Sequence, residues 1–274
     1  MLEQMVSQAP VFLLVAARCF ALIMTLPLFS ARTVPRAAKV ALAGYLAFFI
    51  YPRVSLDSGT FASYASFISP DGAFDLNYIF LVLGEGLIGI IMGLYISIIF
   101  AVFSTAGQFF AFQMGFSASE VYDAMSQVEN PLMGQYLNLI AMLVFMQNHW
   151  FQTLFTGALA TSFKSISAFS IVTHNSELVR FMLSGLTTLF RDSLVIALPL
   201  MGVLFLINVA MGILSKAAPQ MNLLAEGFPV LILTAFFVLT LIMPQFTDYF
   251  IQSFRTGFAR LENLFVSLGG GGVQ

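Results

Sequence analysis

Long uninterrupted apolar runs dominate the chain, with little of the strict alternation that marks half-buried strands. A run of about eighteen or more residues with few charges predicts a membrane helix, because ~20 residues rising ~1.5 Å each cross a hydrocarbon core of ~30 Å. The first run extends from Val11 to Phe29 with Arg18 inside it. The second, Val40 to Tyr51, is too short to span upright, and the third begins near Ile79 and is interrupted by Glu85.

From Gly86 to Ser119 there is no charge at all, yet Gly107, Gly115, Gln108 and Gln113 predict that the helix ends before the uncharged stretch does. A turn is expected near Gly107 or Gly115. A fourth helix follows Pro131 and runs to about Phe163; a fifth covers Phe181 to Leu214 with Arg191, Asp192 and Pro199 within it; a sixth runs from Phe228 to Phe246. Beyond it, Phe250, Ile251, Phe254, Phe258, Leu261 and Phe265 recur at helical spacing among Arg255, Arg260 and Glu262. This predicts a separate amphipathic terminal helix over about 250–267, lying on a membrane surface or a partner. Residues 269–274 read as a flexible tail, which leaves a single membrane-embedded domain over 1–268. No internal repeat is strong enough to suggest an inverted-repeat transporter.

Composition sharpens this picture. Of 274 residues 59% are hydrophobic and 9% charged, against roughly a quarter charged in ordinary soluble domains, too few polar groups to coat a globule of this size in water. The protein's solvent is therefore lipid or other protein. The 31 Phe and 14 Met supply soft, adaptable apolar surface. A net charge of −2, with the cations scattered, excludes a phosphate-neutralising nucleic-acid surface. Cys19, the only cysteine, lies inside the first apolar run, so neither a disulfide framework nor a thiolate metal cluster can form within one chain. The opening Met1-Leu-Glu-Gln lacks the basic region of a cleavable signal peptide, so the first run is expected to remain as an anchor.

Loop charge gives a conflict. Arg32, Arg36 and Lys39 place the first connection in the cytoplasm, and strict alternation of six spans then puts Glu120, Asp123 and Glu129 there too, with Arg255 and Arg260 outside. Either the charge rule is weakly obeyed, or several helices never cross a bilayer and are buried in a protein assembly.

Small residues Gly89, Gly93, Ser97 and Ala101 follow one another at four-residue spacing and line one helix face. Such a stripe lets a neighbouring backbone come close, and intrachain packing is the favoured reading over packing on another subunit. Arg18, Glu85, Arg191, Asp192 and Glu226 sit in or beside apolar runs, where an unpaired charge costs at least about 2.5 kcal/mol, so each requires a partner, water or a pore. Structural pairing, for example of Arg191 with a carboxylate from another helix, is favoured over an ion path, because no periodic polar stripe links the charges. His149 and His174 are isolated, and the sequence has no HExxH, GxSxG, phosphate-loop or paired-cysteine pattern, so no catalytic, cofactor or metal centre is assembled by spacing. The stretch from Gly107 to Asp123 mixes aromatics and Met with glycines. By its residues alone it reads as a packed or re-entrant connector ahead of a hydrophobic constriction.

Three motifs, in order along the chain, point to a family: Ala31-Arg-Thr-Val-Pro-Arg-Ala-Ala-Lys39 after the first helix, Thr105-Ala-Gly-Gln-Phe through Gln113-Met-Gly115, and Ala218-Pro-Gln-Met-Asn222 followed by Gly227-Phe-Pro229. Over about residues 10 to 260 the chain resembles the FliR family, flagellar relatives of the SctT proteins of virulence secretion. The resemblance implies an all-α integral membrane protein of long, broken hydrophobic helices packed as hairpins within a hetero-oligomeric, pseudo-helical export gate.

It also implies the role: a noncatalytic, pore-forming subunit of the flagellar type III export gate, in the bacterial inner membrane at the flagellar basal body, passing unfolded flagellar proteins. Its implied partners are FliP and FliQ homologues, with one copy of this chain, and an FlhB homologue nearby. Much of that assembly stands above the bilayer plane, which accounts for the failed charge alternation. The family's pore plug falls on about 114–130 here, so Met114, Gly115, Phe116, Val121, Tyr122 and Asp123 are its expected residues, with Gly115 permitting the turn. The chain departs from the family at Asp123-Ala124, where relatives often carry Asp-Pro. The rival from another class is a small-solute or ion transporter with a midplane site built from Glu85, Arg191 and Asp192; a purely structural scaffold is a third reading.

Overall fold

The computed structural model describes residues 2–30, 34–54, 60–68, 75–115, 132–218, 220 and 223–269. Among them are helices and turns and no strand. In chain order these are α1 (Leu2–Thr25), α2 (Pro27–Ser30), α3 (Arg36–Ile50), 3₁₀ turns at Tyr51–Arg53 and Thr60–Phe67, α4 (Leu76–Gln113) and α5 (Leu132–Gln147). Then come α6 (Trp150–Thr153), a π-helical stretch Leu154–Leu159, α7 (Ala160–Ser165), α8 (Ala168–Thr173), α9 (Asn175–Ala217) and α10 (Leu223–Leu268). Three of these, α4, α9 and the 226–268 part of α10, are long and apolar enough to cross a membrane.

Several boundaries differ from the sequence expectation, each for a local reason. The first run breaks at Leu26 because Pro27 lacks the amide that would continue the ladder and restricts the residue before it. Neither Glu85 nor Gly107 interrupts α4. The helix ends at a turn over Met114 and Gly115, with Gly115 at φ +80° and its amide bonded to Phe112 O at 3.2 Å, a left-handed helix end open to glycine at no steric cost. The expected fourth helix is broken at Asn148–His149, where His149 takes φ 54°. The sixth helix and the expected terminal helix are one, because α10 continues through Pro244.

The described residues fall into two compact units, and each of the three long helices gives a segment to both. In the first unit (Met1–Ile98, Asn148–Gly185 and Arg255 onward), α1 and α3 form a hairpin that buries Leu14, Val15, Leu22 and Ile23 with Ala43, Ala47 and Ile50. The end of α10 closes this unit: Trp150 stacks on Phe258 at 5.2 Å between centroids and 5° between planes. In the second unit (Ile99–Gln147 and Leu186–Phe254), Phe100, Phe145, Phe250 and Phe254 form an edge-to-face cluster with centroids 4.6–5.9 Å apart. Gly107 faces Gly134 so closely that a Cβ there would lie 2.6 Å from the Gly134 Cα. The sequence reads Gly107 as a possible stop; the structure uses its size, not its flexibility.

The stripe Phe250, Phe254, Phe258, Leu261 and Phe265 is thus buried inside the chain, none of its members more than 5% exposed. It does not lie free for a membrane surface or partner, as a separate amphipathic helix would.

Candidate functional site

The most deeply buried charge is Arg18, on α1. Its side chain and that of Glu85 on α4 are both 0% exposed and meet at 2.7 Å. Every polar atom of the pair has a partner. Arg18 Nη1 donates to Ser162 Oγ and Nη2 to the Ile166 carbonyl, each at 3.0 Å. Glu85 Oε1 accepts from the Tyr64 hydroxyl at 2.6 Å, and that hydroxyl in turn accepts from the Ala168 amide. Above the guanidinium lies the Phe163 ring, 4.2 Å from Cζ to centroid. Burial, then the Glu85 carboxylate beside it, pushes the Tyr64 hydroxyl far above the ordinary phenol range, so it stays a donor. One ion pair therefore ties α1, the 60–67 turn, α4 and α7 together. A desolvated pair of this kind is tolerated only when its remaining lone pairs and protons are satisfied, as here.

Sequence reading singled out Arg18 and Glu85 but not Tyr64, Ser162 or Phe163. A hydroxyl in a short polar connector carries no periodic signal, so nothing along the chain marks Tyr64 as Glu85's second partner.

The small-residue stripe of α4 lies against α1 within the same unit. Gly89 faces the Arg18 carbonyl and Ala21, Gly93 faces Thr25, and Ser97 donates to the Thr25 carbonyl at 2.9 Å. Only Gly fits at the first two positions. Ala101, the fourth member, belongs to the second unit and is half-buried.

In the second unit Arg191 pairs with its own neighbour Asp192 at 2.9 Å, not with a carboxylate from another helix, and its side chain is 69% exposed. Asp192 is buried and also hydrogen-bonded by Tyr249 of α10. Glu226 is exposed at the start of α10. Glu85 and Asp192 thus have their carboxylates engaged by intramolecular partners, each within its own unit.

Of the expected plug residues, Met114 is buried and Gly115 turns the chain against the Phe228 ring. Phe116, Val121, Tyr122 and Asp123 lie outside the described residues. The Gly227-Phe-Pro229 motif therefore supplies the surface on which the segment after α4 starts.

Large apolar side chains stand uncovered along α9 from Val179 through Leu183, Leu198, Phe205 and Leu206 to Leu214, and along α10 at Val230, Leu233, Phe236, Phe237 and Leu241. In the most apolar window of each of these helices only 22% of residues are buried, against 56% for α4. On α9 uncovered apolar side chains are spread from residue 179 to 214, a rise of about 52 Å for a helix, well beyond the ~30 Å of a hydrocarbon core.

The model of the family described as "Bacterial export proteins, family 1" matches residues 9–257. Among curated proteins, the flagellar biosynthetic protein FliR of Bacillus subtilis (strain 168) is 28% identical over 262 residues, 95% of this chain and 96% of its own length. The protein of the same name from Escherichia coli (strain K12) is 27% identical over 270 residues, 97% of each chain. The surface presentation of antigens protein SpaR of Shigella sonnei is 28% identical over 193 residues, 68% of this chain and 72% of its own.

Proposed function

The chain belongs to the bacterial export proteins, family 1, and from that premise we propose that it is a noncatalytic, pore-forming subunit of the flagellar type III export gate, passing unfolded flagellar proteins across the inner membrane. Relatives named for flagellar biosynthesis align over 95% and 97% of the chain, the virulence relative over 68%, which favours the flagellar system.

The observation that carries this reading is the run of uncovered apolar side chains along α9. Its length exceeds what a bilayer can cover, so part of it requires a protein neighbour. FliP and FliQ homologues are the proposed neighbours, with one copy of this chain per assembly and an FlhB homologue beside it. Apolar contact suits a conduit for chains of varied sequence, because Met and Phe surfaces close softly around any extended polypeptide, whereas hydrogen-bond readout would demand one substrate. In this reading the segment 114–130 is the plug, starting from the Gly115 turn on Phe228, with Phe116, Val121 and Tyr122 as the sealing residues.

The transporter reading loses its site, because Glu85 is held by Arg18 and Tyr64, and Asp192 by Arg191 and Tyr249. Coexpression with FliP and FliQ homologues tests the proposal. A single hetero-complex surviving detergent extraction and gel filtration is expected; a monodisperse chain recovered free of both overturns it.

A further inference from the structure

In the first unit, α3 starts without the groups that usually satisfy a helix N-terminus. Its N-cap is Pro35, which makes no side-chain cap, and its first turn carries no acidic residue. The Ala38 and Lys39 amides both donate to the Pro35 carbonyl, at 3.1 and 3.3 Å. The Arg36 and Ala37 amides have no partner among the described residues. Where a helix ordinarily sets a hydroxyl or carboxylate against its positive end, this one sets two cations, Arg36 and Lys39. Lys39 is the stronger sign. It is only 7% exposed, on the stripe that α3 buries with Ala43 and Ala47, yet it makes no hydrogen bond or ion pair with a described residue. A lysine is almost never buried so deeply unless paired. Helix side chains lean toward the N-terminus, so from the fourth position Lys39 reaches back over the first turn, where Arg36, three residues earlier, is its neighbour on the helix surface. Its nitrogen is not sealed from the outside. Two bare amides, a guanidinium and an ammonium over one helical turn are the donors an oxyanion uses.

Beyond the first turn the outer side of α3 is apolar, with Val40, Tyr45 and Phe48 uncovered and open space over Gly44. From Arg36 to Phe48 a helix rises about 18 Å, close to the ~15 Å of one hydrocarbon leaflet. An anion that carries its own apolar tail matches both parts. We propose that the start of α3 binds the phosphate of an anionic phospholipid, its headgroup held by Arg36, Lys39 and the two amides and its acyl chains lying along Val40 and Phe48. The site stands apart from the segment assigned to the plug, and it is testable whether or not the export-gate reading holds.

Native mass spectrometry of the full chain, extracted from membranes in neutral detergent with whatever subunits accompany it, tests this with phosphatidylglycerol, phosphatidylcholine and inorganic phosphate as probes. The first phosphatidylglycerol adduct is expected at about tenfold lower lipid concentration than the first phosphatidylcholine adduct. R36Q/K39M should lose that preference, since methionine keeps the apolar stem of Lys39 and drops its charge. R36Q alone, at an exposed position where packing is undisturbed, should weaken it severalfold, and R255Q, which removes an exposed arginine of α10 in the same unit, should leave it intact. Equal retention of the two lipids, an unchanged preference in both Arg36 variants, or the same loss in R255Q overturns the site. Displacement of phosphatidylglycerol by millimolar inorganic phosphate overturns the lipid assignment. So does an R36Q/K39M chain that sheds an accompanying subunit and keeps its lipid, which would give the cations to an acidic protein surface.

Discussion

Glu85→Ala is expected to remove most of the folded chain from the membrane. The substitution leaves Arg18 fully buried with its main counter-charge gone and strips the Tyr64 hydroxyl of its acceptor. Orphaning one partner of a buried pair costs about 3–5 kcal/mol, a large share of a total folding stability of about 5–15 kcal/mol. The double variant Arg18→Met, Glu85→Leu removes both charges and keeps the volume, so it should regain most of the loss. Arg191→Ala makes the contrast: that side chain is 69% exposed and the buried Asp192 keeps its hydrogen bond from Tyr249, so its removal should cost clearly less than Glu85→Ala does. Membrane-fraction abundance and the thermal midpoint in detergent report all three. Wild-type behaviour of Glu85→Ala would show that the pair is not what ties α1 to α4.

Deleting residues 115–122 should open a leak. The Gly115 turn against Phe228 fixes where the segment after α4 begins, and the proposed sealing residues Phe116, Val121 and Tyr122 would exclude water by their apolar bulk. A hydrophobic constriction closes by filling or dewetting, so removing its bulk lets water and ions through, with conductance rising on the order of tenfold or more. Planar-bilayer recordings of the reconstituted complex read this directly. Conductance equal to that of the undeleted complex would favour the plain connector that the residues alone suggest. Gly115→Val separates position from bulk: it forces a branched side chain into φ +80° against Phe228 while the plug residues remain, so a leak from that variant alone places the control in the turn.

Much of the fold was legible because apolar runs in lipid-like surroundings have few alternatives to helix. The runs at α3, α4 and α9 are where the hydrophobic pattern puts them. The errors came from residues whose local preference lost to a tertiary one. Gly107 carries a breaker's preference but sits where only a hydrogen fits against Gly134. Glu85 looks like an interruption until Arg18, distant in sequence, neutralises it. The pattern divides Phe228–Phe246 from a helix at about 250–267, yet α10 runs unbroken through both while Phe250 and Phe254 pack into the second unit's aromatic cluster.

The site was legible in part. Arg18 and Glu85 stood out because a charge in an apolar run is costly, but the rule names the need for a partner and not the partner. Arg191 shows this: the expected cross-helix carboxylate is instead the adjacent Asp192. Phe228 could be found only through the Gly227-Phe-Pro229 motif, since one more Phe among 31 carries no signal.

Photo-crosslinking from the uncovered face of α9 asks the most direct question about this chain: what covers it. With a photoreactive residue at Leu206, and a second variant at Phe237 on α10, irradiation of intact cells should yield discrete adducts at the masses of this chain joined to FliP or FliQ homologues. If both positions give lipid adducts alone, the long apolar helices are bathed in acyl chains and the assembly reading is wrong.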